Sequence, residues 1–308
     1  PVHWQTRLIY QYYPKNVNRL KIHNPSPDDP LYKNKKELQC FLAVFLSRLF
    51  KKFNVDCVIG SHIEHRENLD WGEVSNNIGV PYIVFHRENL MASANMKKKV
   101  MNRMKRIGCF NGSHVVVHNE VCRQIFVDIG FLEPDRISAL GCLRMDNFVK
   151  KVHQCKTVAN RRKKVVIFPF YLSQFSDNSY SLYPFFREVY VTLINFANKH
   201  SEIDVVIKPK NKKEYTNLYE MLGWIIEGTE IVFEKISNLY IRSDLDAQKL
   251  LFETDVVCGL RSTVLLEAAI VGKPVIIPYF KALQDFKYDG DIYFRDSLHL
   301  FDIAKDVN

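Results

Sequence analysis

The chain has 308 residues, 47 % of them hydrophobic and 25 % charged, a globular balance with apolar material for about two domains. Forty-three Lys and Arg against 34 Asp and Glu leave a net charge of +9, which points to an anionic partner. Nucleotide phosphates and a lipid surface fit that charge; nucleic acid is set aside for want of a zinc finger, an RNP signature or a basic–aromatic weave.

Seven dispersed cysteines without a C-x-x-C read as reduced thiols of a cytoplasmic protein and make a zinc site improbable. The longest apolar run, FLAVFLSRLF, is about half a membrane span. Pro1 in place of Met suggests a start inside a longer protein, and a strand before Pro1 would fit the fold read below.

Residues 14–36 are polar and Pro-rich and read as a long loop, followed by a helix over 36–53. The chain then alternates. Strands VDCVIGSH (55–62), PYIVF (81–85), HVVVHN (114–119) and RISALGC (136–142) are separated by helical stretches. These are DWGEVSNNIG, MKKKVMNRMKRIG, and EVCRQIFVDIG, the last ending on Gly130, a C-cap signal. Residues 147–163 are basic and lose the apolar pattern, as a linker or connecting helix does.

A second series follows. VVIFPFY (165–171) leads to a helix over 183–199, and DVVIKPK (204–210) to one over 213–223. NLYIRS (238–243) leads to DAQKLLFETD, VVCGL (256–260) to STVLLEAAIVG, and PVIIPYF (274–280) closes the series. Short apolar strands alternating with helices predict an α/β fold of parallel, doubly wound sheets. The expected architecture is two Rossmann-like domains, 1–150 and 151–308, with a cleft between them and ligands outside the strand carboxyl ends.

In DVVCGLRSTVLLEAAIVGKPVIIPYF, Ser262 and Thr263 sit where a strand gives way to a helix, so hydroxyls and backbone N–H groups face an anion there. Glu267 lies one turn on, on the same face, placed to accept from a ribose hydroxyl. The competing reading makes Ser262 a plain N-cap and Glu267 a solvent residue.

This stretch resembles the carboxyl-terminal nucleotide-binding segment of GT-B-fold glycosyltransferases: a Ser/Thr pair, Glu-Ala, then Gly-Lys-Pro. DVVIKPK resembles the strand that bacterial capsule, sialyl-, Kdo- and polyol-phosphate transferases end in Lys-Pro-His-Pro or His-Pro. Here Lys208-Pro209-Lys210 replaces the His, an ammonium serving as a point charge for phosphate; the alternative is a pair of solvated lysines. Upstream, the sequence from His114 to Phe148 resembles the last strand–helix–strand of the first GT-B domain, with Gly141, Arg144 and Asp146 in its Gly-x-x-Arg/Lys-x-Asp ending. The resemblance covers roughly 55–280. It implies a nucleotide-linked sugar donor held by Lys208, Lys210, Ser262, Thr263 and Glu267, with no cofactor and no metal expected.

The pentapeptide HRENL occurs at 65–69 and 86–90. The second copy follows PYIVF directly and sets His86, Arg87 and Glu88 at a strand carboxyl end. There Glu88 or His86 is placed as the base that takes the acceptor hydroxyl's proton, and Arg87 as a clamp for an acidic group. The competing role for Glu88 is an ion pair with Arg87 or a following lysine. In the first copy, Glu67, with Asp70 and Trp71, is expected to line the acceptor side, or to begin a helix. UDP-N-acetylglucosamine 2-epimerases share the fold and carry His-Arg-Arg-Glu-Asn, but after the first strand of the second domain. Here that strand continues as FPFYLSQFSDN, whose loop 172–181 holds Asp177, a reserve candidate for the base.

The expectation is therefore an inverting, metal-independent glycosyltransferase moving a sugar to a surface-glycan or lipid-linked acceptor at the cytoplasmic face of a membrane. MKKKVMNRMKR, with Met96, Val100, Met104 and Ile107 at helical spacing, is either an interfacial helix on anionic lipid or a core-facing stripe. The alternatives in function are an epimerase-like enzyme and a catalytically silent GT-B module used for binding or assembly.

Overall fold

The structure, a computed structural model, describes residues 4–18, 20–65, 68–87, 90–154, 161–171, 182–284, 288 and 290–307. They form two compact units: Pro1–Met91 with Met96–Leu143, and Ala92–Asn95 with Arg144–Asn308.

Unit 1 is built on four parallel strands in chain order: β1 (Val58–Gly60), β2 (Tyr82–Phe85), β3 (His114–Val117) and β4 (Ile137–Ala139). Val84 pairs with Gly60 on one side and Val115 on the other. Helices α1 (Trp4–Tyr12), α2 (Leu31–Phe53), α3 (Trp71–Asn77), α4 (Ala94–Ile107) and α5 (Glu120–Asp128) accompany them. In α2, Leu38, Leu42, Leu46 and Phe50 recur every fourth residue and are buried, and such burial gains about 1.5–3 kcal/mol per side chain. The helix stops where Asn54 turns to φ 49° and donates its N–H to Phe50 O. Asn119 caps α5 by accepting from Cys122 N–H, and Gly130 leaves it at φ 67°.

In unit 1 the structure adds a helix before the expected loop, shortens that loop, and decides between the two readings of α4. Residues 4–12 are helical, and α2 starts at Leu31, so the expected loop over 14–36 is shorter. The pattern hid the start of α2 because its first inward position is a lysine, Lys35, whose ammonium binds Asp70. In α4, Val100, Met104 and Ile107 are all buried, so this stripe belongs to the core and its apolar side chains do not face lipid.

Unit 2 carries six parallel strands: β5 (Lys163–Phe168), β6 (Ile203–Ile207), β7 (Leu239–Ile241), β8 (Val256–Gly259), β9 (Val275–Pro278) and β10 (Asp302–Ala304). Their order is β10-β9-β8-β5-β6-β7. The chain enters at β5, steps outward through β6 and β7, then returns to build the other half from β8. That is the doubly wound order, and its reversal between β5 and β8 is the switch point outside which ligands bind in such sheets. At the reversal Gly259 leaves little room for a side chain: a Cβ there would sit tightly, 3.0 Å from Leu265 Cδ2 and 3.2 Å from Phe168 O.

Helices α6 (Asp146–Gln154), α7 (Tyr183–Lys199), α8 (Lys212–Ile226), α9 (Ala247–Phe252) and α10 (Val264–Ile270) accompany this sheet. Phe185, Phe186, Val189, Tyr190 and Ile194 of α7 bury against it. Of the two readings of the basic stretch the connecting helix holds for its first part, and one correction follows. The stretch after 146 is helical through Gln154, with Phe148 as its buried anchor. The strand series does not close at 280, because β10 pairs with β9, Ile303 opposite Ile277.

Candidate functional site

The carboxyl ends of β5, β6 and β8 lie level: Phe168 pairs with Gly259, and Lys208 N–H donates to Ile167 O at 2.9 Å. Parallel pairing therefore brings the ends of DVVIKPK and VVCGL to the same edge of one sheet, on either side of β5.

Lys208 is buried, its Nζ donating to Pro209 O at 2.7 Å and Ser243 O at 3.4 Å. Burial lowers its pKa, against the opposing pull of Asp244, Asp246 and Glu214. Lys210 is exposed, and its backbone N–H donates to Glu214 Oε2 at 3.1 Å. Ser262 Oγ accepts from Val264 N–H at 3.3 Å, and Thr263 stands at the N-cap of α10; both are half-buried.

Glu267 is buried, not a solvent residue, and lies 3.9 Å from Arg144 Nη2. Burial raises its pKa, while Arg144 and a hydrogen bond from Gln248 oppose the shift. Two residues from separate sequence motifs, Arg144 and Glu267, are thus neighbours. Arg261, absent from the sequence reading, sits between Leu260 and Ser262 with its guanidinium 3.6 Å from the fully buried Asp291 and 5.5 Å from the Tyr293 ring centre.

In unit 1, His86 follows β2, donates its backbone N–H to Val116 O at 2.9 Å and is 1 % exposed. Arg87 is exposed and donates its N–H to Ser61 O at 3.2 Å, which ties the two strand ends together. Glu67, Glu88 and the 172–181 loop with Asp177 lie outside the described residues. Asp70 is not on a ligand surface: it is buried against Lys35.

Sequence reasoning missed the company His86 keeps. His62 and His65, after β1, stack with ring centres 3.6 Å apart, and Ser61 Oγ lies 2.8 Å from His62 Nδ1. Arg103 of α4 pairs with the buried Glu64 at 2.8 Å. Burial first, then the charges of His62, Arg103, His118 and His65, hold the His86 imidazole down from 6.5 to about 3. The signal was present: VIGSH, YIVFH and VVVH each bring a His to the carboxyl end of a strand. Among the described residues no group of three or more His, Cys, Asp or Glu is placed to hold a metal ion.

No protein-family model matches the sequence, and no curated protein matches it. Solved structures do match in fold. An α,α-trehalose 6-phosphate synthase from Burkholderia multivorans gives a TM-score of 0.50 at 13 % identity, over 98 % of this chain and 68 % of that one. A protein assigned as a UDP-N-acetylglucosamine 2-epimerase from Listeria monocytogenes gives 0.49 at 14 % identity, over 83 % and 64 % respectively. A wall teichoic acid polymerase gives 0.42 at 11 % identity, over 78 % and 57 %. The chain thus spans less than two thirds of the length of the last two. At such identities the likeness is one of fold: α/β, with two Rossmann-like domains of GT-B type.

Proposed function

We propose that this chain is a GT-B glycosyltransferase, inverting and metal-independent, that moves a sugar from a nucleotide-linked donor to a surface-glycan or lipid-linked acceptor. The observation that carries the reading is the doubly wound order of unit 2, which sets Lys208 and Ser262 at strand carboxyl ends on either side of β5. The solved structures named above include enzymes of trehalose phosphate and teichoic acid synthesis, and their fold agrees with this reading.

In the proposed scheme unit 2 takes the donor. Ser262 and Thr263 offer hydroxyls to its phosphates, Lys210 supplies a mobile charge, and Lys208 lends charge from within the strand end. Glu267, held beside Arg144, accepts from the ribose. Charge that develops on the departing phosphate is met by these groups.

Unit 1 takes the acceptor. Glu88 is the base that takes the acceptor hydroxyl's proton, and Arg87 and Glu67 belong to the acceptor side. His86, buried beneath the strand end and held down to about 3, is neutral at physiological pH and too weak a base for that step, so it positions the Arg87–Glu88 turn. The epimerase reading is disfavoured because both HREN copies belong to unit 1, whereas the epimerase motif follows the first strand of the second domain. No described helix is long and apolar enough to cross a membrane; contact with anionic lipid at the cytoplasmic face would run through α2.

A melting-temperature screen of CMP, CDP, UDP and GDP tests the donor site. A nucleotide at about 100 times its Kd stabilises the folded chain by about 2.7 kcal/mol. No shift with any of the four overturns the donor assignment. A shift without transfer or donor hydrolysis leaves a silent binding module.

A further inference from the structure

Arg261 stands in the turn between β8 and α10, directly before Ser262 and Thr263. A cation at that position invites a phosphate contact, yet its side chain is only 10 % exposed. The guanidinium is directed inward. Its Nη2 lies 3.6 Å from Oδ1 of the fully buried Asp291, and its Cζ stands 5.5 Å from the centre of the Tyr293 ring. An ion pair so far from water resists parting, because removing either partner strands a charge in the interior.

Asp291 belongs to a segment that grips the chain elsewhere. Tyr288 and Ile292 anchor that segment in the core of unit 2. Gly290, next to Asp291, accepts the Asn95 N–H at 2.8 Å, and Phe294 N–H donates to Ala92 O at 2.7 Å. The fit at Gly290 is close: a Cβ there would come within 2.9 Å of Asn95 Oδ1. Phe294 adopts φ 55° and ψ 31°, a left-handed conformation that an aromatic residue takes only where its surroundings impose it. Its ring packs on that of Phe301, with centres 5.9 Å apart, while its N–H holds Ala92.

Ala92–Asn95 is a short stretch of unit 2 between Met91 and Met96, which both belong to unit 1. It begins one residue after the second HRENL copy. The span 87–91, which includes Glu88, therefore runs between two fixed points. One is the His86 N–H on Val116 O at the end of β2, and the other is Ala92 O on the Phe294 N–H. A shift of the Arg261 turn reaches the second point through Asp291, Gly290 and Asn95. Packed side chains and hydrogen bonds in unbroken succession are what carries such a shift.

We infer that Arg261 is a positioning residue that couples occupancy of the Ser262–Thr263 turn to the placement of the 87–91 span. The inference rests on the donor reading of that turn. A nucleotide that orders Ser262 and Thr263 also orders Arg261 on Asp291, and with it the grip of Gly290 and Phe294 on Asn95 and Ala92. The coupling is reciprocal: fixing 92–95 favours the nucleotide-bound turn by the same factor.

Hydrogen exchange read at single amides of the full chain tests it, with CMP, CDP, UDP and GDP as the nucleotides. In the wild type, the nucleotide that raises the melting temperature should slow exchange at Asn95 and Phe294 by about fivefold or more. In unliganded Arg261→Met the same two amides should exchange faster than in the wild type by about tenfold or more, beyond any change at Leu222 of α8, which reports global opening. Arg261→Lys keeps a cation and should recover part of the wild-type exchange, which a role in apolar packing alone would not give. Gly290→Ala keeps the ion pair and crowds Asn95, so it carries the test if Arg261→Met does not fold. There the slowing by nucleotide should be lost, and affinity should fall by no more than the factor lost in exchange.

Binding without slowing at Asn95 and Phe294 in the wild type would overturn the inference and leave the donor reading in place. Equal exchange in Arg261→Met and the wild type, no recovery in Arg261→Lys, or full slowing in Gly290→Ala would do the same. Binding of none of the four nucleotides would overturn the donor reading, and this inference with it.

Discussion

His86 and Phe126 lie with ring centres 5.9 Å apart, one 1 % and the other 0 % exposed, so an imidazole is sealed beneath the carboxyl end of β2 by an aromatic residue of α5. Burial and the nearby positive groups hold it at about 3, against 6.5 in an open chain. The unfolded chain therefore binds a proton between those values that the folded chain refuses. Stability from this source is whole above pH 6.5 and declines as pH falls, by about 1.4 kcal/mol per unit, to a loss on the order of 4–5 kcal/mol near pH 3. Urea unfolding at pH 7.5, 5.5 and 4.5 should show a steeper loss in the wild type than in His86→Asn. Parallel curves would exclude a buried neutral imidazole.

Lys35 and Asp70 form a pair whose side chains are 7 % and 1 % exposed. Lys35→Met should cost about 3–5 kcal/mol, because it leaves a buried carboxylate facing Glu73 without its counter-charge. Asp70→Asn should cost less than Asp70→Ala. Asp70 holds φ at 61°, a left-handed conformation that Asn adopts more readily than Ala. A double-mutant cycle by chemical denaturation measures both effects, and additivity of Lys35→Met with Asp70→Asn would show that the two are not coupled.

The same pair shows where the sequence is legible and where it is not. Runs such as HVVVHN and VVIFPFY declare themselves as strands because β-branched residues cluster between polar breaks, and β3 and β5 fall within a few residues of them. Lys35 conceals the start of α2, because the carboxylate that makes its burial possible is 35 residues away. β10 escapes for a different reason: Asp302–Ala304 is three residues at a sheet edge, too short for any period to appear. The site divides likewise. That Ser262 and Lys208 end strands is local information, while the meeting of Arg144 with Glu267, and of His62 and Arg103 around His86, exists only after the chain closes on itself.

The donor assignment predicts a graded response. Ser262→Ala and Thr263→Val each remove a hydroxyl donor to a charged group, worth about 1.5–3 kcal/mol, or roughly 10- to 100-fold in nucleotide Kd. Lys210→Ala, at an exposed position, should weaken binding in a salt-dependent way and leave the unliganded melting temperature unchanged. Calorimetric titration with the nucleotide that shifts the wild type decides. Full affinity in the Ser262→Ala/Thr263→Val double variant would move the phosphates elsewhere.

A lipid contact, if the acceptor is membrane-borne, must find a surface other than the buried stripe of α4. The outward face of α2 supplies one. Phe41 is 40 % and Val44 55 % exposed, and Phe41 stacks on Phe45 at 5.8 Å. Lys33 and Lys36 stand before these residues and Arg48, Lys51 and Lys52 after them, all exposed, so an apolar centre is bracketed by cations. Inserting one such side chain gains about 1.5–3 kcal/mol, and each cation near an anionic leaflet about 1 kcal/mol. Co-sedimentation with phosphatidylglycerol vesicles should therefore be strong at low salt and weaker at high salt. Phe41→Glu/Val44→Glu should reduce it by about tenfold or more, whereas Lys98→Glu/Lys99→Glu on α4 should change it less. The reverse ranking would assign the membrane face to α4 through its charges alone.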